Sequence, residues 1–383
     1  ELFTAGIRNY LAEMQYKSAT PENLYEGLQR AYDKVFPGNE LRINDVMTPW
    51  FDYPGVPLVT ISKTPNGLHI AQQGYARSPN VIFGVPINIA TASNPNFYES
   101  SADVWLTTRE MEVSQADMNK SWTDDDWIVA NLRDTGYYVV NYDDNLWSFI
   151  TRGLLAGHES LHFINRGRFF IDFLRFFELN MDLTPTIFLE LMEYLGNERS
   201  SYVWERATEG ITKLEERFQG TELHPLFLNF VQDIMSQVYE EPLLGDRDYR
   251  SEINRLSCMS NVQECLSDYL GVLTEVMANG RTEFQYGYRC NGFKTANQSV
   301  WMHFFDIALA AEAEDRIFEL SSLECTRDQQ ILDFYLESAI DLRTNFTLSD
   351  RRQIIQSVAR AHIEGYESVL NLLEEYHEKL NEV

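Results

Sequence analysis

The sequence predicts a multidomain α+β protein, because three stretches of the chain differ in the spacing of their apolar residues. In residues 1–45 and 143–383, apolar residues recur every three or four positions, as they do in helices. In residues 46–142, apolar and polar residues alternate with a period of two, as they do in strands. At 383 residues the chain is also too long for one ordinary core. We therefore predict a short helical region, a small β-sandwich and a large all-α domain, in that order.

The first region is predicted to form two helices separated by a break. Thr20 suits the N-cap of the second helix and Pro21 suits its first position. Leu24, Leu28 and Tyr32 then recur at helical spacing. This helix pair has apolar faces and no visible core of its own.

The second region is predicted to be a β-sandwich of roughly 90 residues. Alternation of apolar and other residues is clearest in VPINI, residues 85–89, and in VWLT, residues 104–107. Turn sequences such as TPNG and ASNPN separate these runs.

The third region is predicted to be entirely helical to its end. Thr347 and Asp350 form a capping box that starts the penultimate helix. About 240 residues of helix exceed a simple bundle, so we predict stacked helix pairs in a superhelical, HEAT/armadillo-like domain, although the sequence has no clean period. The final helix is predicted to bury a stripe of four residues, Val369, Leu373, Tyr376 and Leu380, with Glu374, Glu375 and Glu378 facing water.

The charge of the chain excludes some functions. With 58 acidic and 31 basic side chains, the formal charge is -27, which repels phosphate backbones and anionic lipid headgroups. We therefore expect no nucleic-acid partner. No apolar run is long enough to span a bilayer, and the opening ELFTAGIRNY is neither a signal peptide nor an initiator methionine. The chain is expected to be an internal piece of something longer.

The four cysteines indicate an oxidising compartment outside the cytoplasm. Cys258, Cys265, Cys290 and Cys325 have no spacing typical of zinc ligands. On one continuous helix the first two would be about 10 Å apart, too far for a disulfide, so a bond between them needs a turn. In CMSNVQEC, residues 258–265, a capping box of Ser260 and Gln263 is predicted to start a new helix at about Asn261. Of the three pairings that four cysteines allow, this turn favours the adjacent one.

Three sequons are candidate glycosylation sites, at Asn119, Asn297 and Asn345. They agree with secretion, but a chain of this length contains about as many by chance.

The segment HESLH, residues 158–162, has the letter pattern of a zinc protease helix. On one helix, His158 and His162 would share a face, and Glu159 would be the general base. A catalytic zinc also needs a third protein ligand. HESLH is therefore the first candidate for a metal site.

The third ligand is absent in both arrangements of this motif. In the short arrangement, H-E-x-x-H-x-x-G-x-x-H, the glycine would fall at Asn165 and the third histidine at Arg168. In the long arrangement, a glutamate would follow the second histidine by 19 positions, where this chain has Met181. Arg166, one helical turn after His162, would also repel a divalent cation.

The alternative interpretation is that the two histidines lie along an ordinary helix. They would then be partly packed beside Leu155, Leu161 and Phe169. On this interpretation the motif is a decoy, a chance match that binds no metal, and this is the interpretation that we favour.

Other patterns offer weaker candidates. Asp124, Asp125 and Asp126 could be imagined as a calcium site, but they lack EF-hand spacing and are interpreted as a solvated turn or helix start. Aromatic residues in the helical half are interpreted as core rather than as a ligand platform, with Trp301, Phe304 and Phe305 as the example. The sequence contains no nucleophile elbow and no phosphate-binding glycine loop.

Several stretches of the chain resemble the zinc-dependent aminopeptidase N family, in particular its animal cell-surface, insect-like members. FTAGIRNYLAEMQYKSATPENLYEGL resembles the helical end of the thermolysin-like catalytic domain. VMTPWFDYPGVPLVTI resembles the entry into the β-sandwich, and WIVANLRDTGYYVVNYDDNLW resembles the last sandwich strand and the step into the helical domain. The cysteine spacings of 7 and 35 resemble the two disulfides of the cell-surface members.

The resemblance has two departures. The family usually has an aromatic residue where this chain has Val56, and an arginine where it has Val139. The role of that arginine in the family is therefore not carried over to this chain.

The resemblance implies three domains, with boundaries near residues 45 and 142. It implies a zinc aminopeptidase on the extracellular face of the plasma membrane, anchored by a segment outside this chain, that removes neutral N-terminal residues from peptides. The family's zinc-binding segments lie upstream of Glu1, so this chain alone is expected to bind no zinc and to be inactive. Its expected partners are the N-terminal catalytic part of the same polypeptide, peptide substrates and a second copy of the chain.

Two other functions remain as alternatives. The chain could be a non-catalytic receptor module that other proteins, such as bacterial toxins, recognise. It could also be an independent zinc protease that uses His158, Glu159 and His162.

Overall fold

A computed structural model describes residues 1–74, 79–178, 185–239, 247–279 and 286–380. The chain forms two compact units, residues 1–207 and 208–383. The predicted domain boundaries near residues 45 and 142 both fall within the first unit, and they remain predictions.

The first unit combines helices with short strands. Thr20 and Pro21 start a helix as predicted, and the backbone N–H of Thr20 donates to Asn23 Oδ1 at 3.0 Å in a capping box. The helices are α1 Leu2–Met14, α2 Pro21–Val35, α3 Ile43–Asp52, α4 Gln115–Met118, α5 Asp144–Gly157, α6 Phe163–Glu178, α7 Pro185–Glu193 and α8 Ser201–Phe218, which continues into the second unit. The strands are β1 Pro57–Thr64, β2 Gly67–Gly74, β3 Val85–Ile87, β4 Ile89–Thr91, β5 Val104–Leu106, β6 Glu110–Val113, β7 Ile128–Ala130 and β8 Val139–Tyr142.

The strands form three small sheets in the described part of the first unit. The largest has the order β6-β2-β1-β8, in which β1 and β8 run parallel and the other neighbours run antiparallel. Two antiparallel pairs, β3 with β5 and β4 with β7, make the smaller sheets. The predicted alternation is confirmed at β3, where Val85 and Ile87 are fully buried and Pro86 is half-buried. The run 85–89 nevertheless divides between two sheets.

A buried amide joins the largest sheet to its neighbours. Gln72, on β2, is buried, and its Nε2 donates to the carbonyl oxygens of Phe83 and Thr108, both at 2.9 Å. Its Oε1 accepts the backbone N–H of Phe83 at 2.9 Å. Because Phe83 and Thr108 lie outside the strands, the side chain of Gln72 supplies hydrogen bonds that a strand ladder does not.

The second unit is helical throughout its described residues. Beyond α8 its helices are α9 Leu223–Tyr239, α10 Arg247–Met259, α11 Gln263–Asn279, α12 Tyr286–Phe293, α13 Gln298–Ala310, α14 Ala313–Leu320, α15 Gln329–Ile340, α16 Leu348–Ala361 and α17 Ile363–Leu380. Several consecutive helices are neighbours, among them α9 with α10, α11 with α12, and α16 with α17. The capping box that starts α16 is confirmed, since Thr347 Oγ1 accepts the N–H of Asp350 at 3.2 Å.

The core of the second unit is built around aromatic rings. Trp301, Phe304 and Phe305 are buried, as predicted. The predicted stripe on α17 is wrong at one position, because Leu372 is buried instead of Leu373, which is exposed. Among the predicted residues of this helix, the side chains of Tyr376, Glu378 and Leu380 lie outside the described residues.

Two disulfides join the four cysteines as Cys258–Cys265 and Cys290–Cys325, with Cα–Cα distances of 5.4 and 5.1 Å. The turn that the first bond requires lies between α10 and α11. The capping box predicted at Ser260 is wrong, because its hydroxyl donates back to the carbonyl of Leu256 at 2.9 Å. The next helix therefore begins at Gln263 rather than at about residue 261.

Candidate functional site

The HESLH segment does not form one helix. Helix α5 ends at Gly157, residues 158–160 form a single 3₁₀ turn, and α6 begins at Phe163. Leu161 between them is extended and fully buried. The prediction that His158 and His162 share one helix face is therefore wrong, and so is the interpretation that they lie along one ordinary helix.

Arg166 stabilises this break. Its Nη1 donates to the carbonyl oxygens of Leu161 at 2.6 Å and of His158 at 3.2 Å, the latter of which also accepts the N–H of Leu161. Its Nε and Nη2 donate to the two carboxylate oxygens of Glu198 at 2.7 and 2.9 Å. Both side chains are buried, so this bidentate ion pair fixes the junction from inside.

Glu198 is satisfied from a second direction. Its Oε1 accepts the backbone N–H groups of Arg199 and Ser200, both at 2.9 Å. Burial raises the pKa of the Glu198 carboxyl, but the hydrogen bonds from Arg166 and from the backbone outweigh it and leave this pKa below its ordinary value. Glu198 is thus a buried carboxylate with a structural partner on each side.

The two imidazole rings contact different neighbours. The ring of His158 lies 5.9 Å from that of Tyr194, whereas the ring of His162 stacks on Phe163 at 4.6 Å and meets the edge of Tyr98 at 5.7 Å. His162 Nδ1 also accepts the N–H of Ile164 at 3.3 Å.

The remaining members of the motif do not complete a metal site. His158, Glu159 and His162 line one depression of about 520 Å³, but Arg166, Arg199 and Glu198 line it too. Arg168, at the third-histidine position, pairs with Asp134 and Asp172, and Met181 lies outside the described residues. Within the described ranges, no group of three or more His, Cys, Asp or Glu side chains could hold a metal ion. The residues of this junction therefore do not fit a catalytic zinc.

The protonation of the two histidines gives a testable pH dependence. Burial lowers the pKa of His158 and of His162 below the ordinary 6.5, and Arg166 lowers both further. The unfolded chain therefore binds protons before the folded one as pH falls, so the free energy of unfolding should decrease as the pH drops below about 6.5.

A double variant, His158→Gln with His162→Gln, should have a shallower slope of this free energy between pH 7 and pH 5. Urea unfolding at several pH values measures the slope, with the unsubstituted protein as reference. An identical slope in the variant would show that the two rings titrate alike in the folded and unfolded states.

Asp124 and Asp125 form a turn, as interpreted from the sequence, but Asp126 is buried rather than solvated. Asp126 Oδ2 accepts the backbone N–H of Ser93 at 2.9 Å, and its Oδ1 accepts the hydroxyl of Thr123 at 2.7 Å. Lys63 Nζ donates to the carbonyl oxygens of Thr123 and Asp124 at 2.8 and 2.6 Å.

The three sequon asparagines are exposed at their predicted positions. Asn119 has a left-handed backbone with φ of 50° at the end of α4. Asn297 caps α13 through its Oδ1, which accepts the N–H of Val300 at 3.1 Å. Asn345 precedes the cap of α16. Their glycosylation remains a prediction.

Val56 and Val139, the two departures from the family pattern, line the same cavity of about 460 Å³. Gly55, Tyr138 and Arg168 also line it. The sequence places the two valines far apart, and only the parallel pairing of β1 with β8 brings them together. Side chains larger than valine at these positions would have to occupy this space.

Small sheets followed by a long helical region define an α+β protein, in which the HESLH segment lies at the break between α5 and α6. A family model described as ERAP1-like C-terminal domain matches residues 127–383. The chain belongs to this family of C-terminal domains, within the aminopeptidase N family.

Curated relatives match most of the chain. It is 22% identical to an aminopeptidase N of Plutella xylostella over 97% of its length and 26% identical to that of Bos taurus over 89%. It is 22% identical to a thyrotropin-releasing hormone-degrading ectoenzyme of Mus musculus over 94%. The chain spans only 41%, 37% and 36% of these three relatives. Among the described residues, no helix is both long and apolar enough to cross a bilayer.

Proposed function

We propose that residues 1–383 are the C-terminal part of an extracellular zinc aminopeptidase that removes neutral N-terminal residues from peptides. The observation that carries this proposal is the match along 89–97% of the chain to aminopeptidases N of which it spans only 37–41%. The family model over residues 127–383 supports the same placement within the parent protein.

The role proposed for this chain is structural. Residues 46–142 would be a β-sandwich spacer, residues 143–383 a superhelical cap, and residues 1–45 the end of a thermolysin-like catalytic domain. The cap would restrict the access of peptides and exclude water. Exposed apolar side chains on α1, including Phe3 and Leu11, support a covering catalytic part.

The zinc is proposed to be held by residues that precede Glu1. In such an enzyme the metal polarises the scissile carbonyl and activates water. HESLH is proposed to take no part in this chemistry, because α5 ends before it and α6 begins after it, so its residues do not lie on one helix.

The proposed location is the outer face of the plasma membrane, with an anchor outside this chain. The two disulfides support an oxidising compartment. One relative is named an ectoenzyme, which agrees with that location. We also propose that the parent protein can form a homodimer and can be bound by other proteins.

A comparison of three proteins tests the proposal: the parent polypeptide, its His158→Ala variant, and residues 1–383 alone. The parent and the variant should each contain one zinc per chain and hydrolyse alanine 4-nitroanilide at similar rates, whereas residues 1–383 should do neither. Elemental analysis and absorbance measure the two quantities. Loss of both zinc and activity on His158→Ala would overturn the proposal in favour of an independent zinc protease.

A further inference from the structure

A groove crosses the surface of the second unit between α13 and α15 and continues along residues 341–344. Its volume is about 800 Å³, which lies within the size range of ligand sites in proteins. All of its lining residues belong to the same compact unit.

The floor of the groove is apolar and rests on the core. Phe334 is 40% exposed, and its ring meets that of buried Phe305 edge-on at 5.6 Å. Leu342 is 64% exposed at one end, and Met302 and Leu309 line the α13 side. Partly exposed apolar side chains supported by a packed aromatic core are suited to anchoring apolar side chains of a ligand.

The walls of the groove are acidic. Asp306 on α13 and Glu337 on α15 are both exposed and line opposite sides. The charge of Asp341 is balanced by Arg343, which lies 2.7 Å away. In the part of the chain that the structure describes, neither Asp306 nor Glu337 has an ion-pair partner. Three carboxylates and one guanidinium thus give the lining a net charge of -2.

We propose that this groove binds a cationic amphipathic peptide segment. Apolar side chains of the segment contact Phe334 and Leu342, while its lysine or arginine side chains lie against Asp306 and Glu337. A groove between two helices suits a helical ligand with apolar anchors at positions i, i+3 or i+4, and i+7. An anionic membrane surface is a poor occupant, because the chain carries a formal charge of -27. The proposal goes beyond the aminopeptidase function and does not depend on it.

The test uses a fluorescein-labelled synthetic helix of about 16 residues with leucine at the anchor positions and lysine beside them. Its affinity for residues 1–383 is measured by fluorescence anisotropy near 0.15 M salt. The double variant Asp306→Lys with Glu337→Lys should bind it at least about tenfold more weakly, because like charges then face each other. The double variant Phe334→Ser with Leu342→Ser should lose about tenfold through lost apolar contact.

The matched control is Glu374→Lys with Glu375→Lys on α17, which makes the same change of charge at exposed positions away from the groove. It should leave the affinity within about twofold of the unsubstituted chain. An equal loss in the control and in the Asp306/Glu337 variant would overturn the proposal, since it would indicate general attraction to an acidic protein. So would a peptide with serine for leucine that binds as tightly as the original. Circular dichroism of each variant verifies that it is folded.

Discussion

Replacing Arg166 by methionine is expected to lower the free energy of unfolding by about 3–5 kcal/mol. The variant leaves Glu198, whose side chain is 1% exposed, buried without its guanidinium partner. It also removes the donor to the carbonyl oxygens of Leu161 and His158 at the helix break. Because a buried charge without a partner costs more than the ion pair itself contributes, the loss should exceed that of an ordinary hydrogen bond.

The control for this prediction is the exposed pair of Lys213 and Glu209, one turn apart on α8. Lys213→Met should cost at most about 1 kcal/mol. Combining Arg166→Met with Glu198→Gln should cost less than the sum of the two single changes, because the unpaired charge is then absent. Urea unfolding of the four variants measures these differences, and a cost below about 1 kcal/mol for Arg166→Met would contradict the structural role of the pair.

Loss of the second disulfide is expected to destabilise the protein more than loss of the first. The bond Cys290–Cys325 closes 35 residues and Cys258–Cys265 closes 7. The entropy of loop closure in the unfolded chain then gives about 4 kcal/mol for the longer loop and about 2 kcal/mol for the shorter.

Replacing both cysteines of one bond by serine at a time, followed by urea unfolding, tests this order. Each double variant is the control for the other, because both exchange two cysteines for two serines. Equal losses, or a larger loss for the seven-residue loop, would show that loop closure does not govern their contributions.

The elements that the sequence predicted correctly are those whose signals are local. Thr20 with Pro21 starts α2, and Thr347 with Asp350 starts α16, because a cap satisfies backbone N–H groups only three residues away. Alternation predicted β3 and β5 for the same reason, but pairing is not local. The sequence could not show that Val85–Ile87 pairs with β5 while Ile89–Thr91 pairs with β7.

The secondary structure of the candidate site was mispredicted, and the interpretation of HESLH as a decoy remains a prediction. The residues of HESLH are compatible with a helix, but α5 ends at Gly157, Leu161 is buried, and the guanidinium of Arg166 on α6 donates to the carbonyl of Leu161. The partner of that guanidinium, Glu198, lies 32 residues from Arg166 along the chain. Local spacing carries no information about such a contact. The capping box at Ser260 failed for a different, local reason, because its hydroxyl donates to the carbonyl of Leu256 in the preceding helix.

The contacts at the break between α5 and α6 also determine which residues there can be substituted without loss of stability. Neither imidazole is part of the buried ion pair, whereas Arg166 and Glu198 depend on each other and Leu161 fills the core. Across relatives, positions 158 and 162 should therefore drift freely while Arg166 and Glu198 persist or change together. A motif such as HESLH can therefore appear and disappear through neutral substitution, without the gain or loss of a metal site.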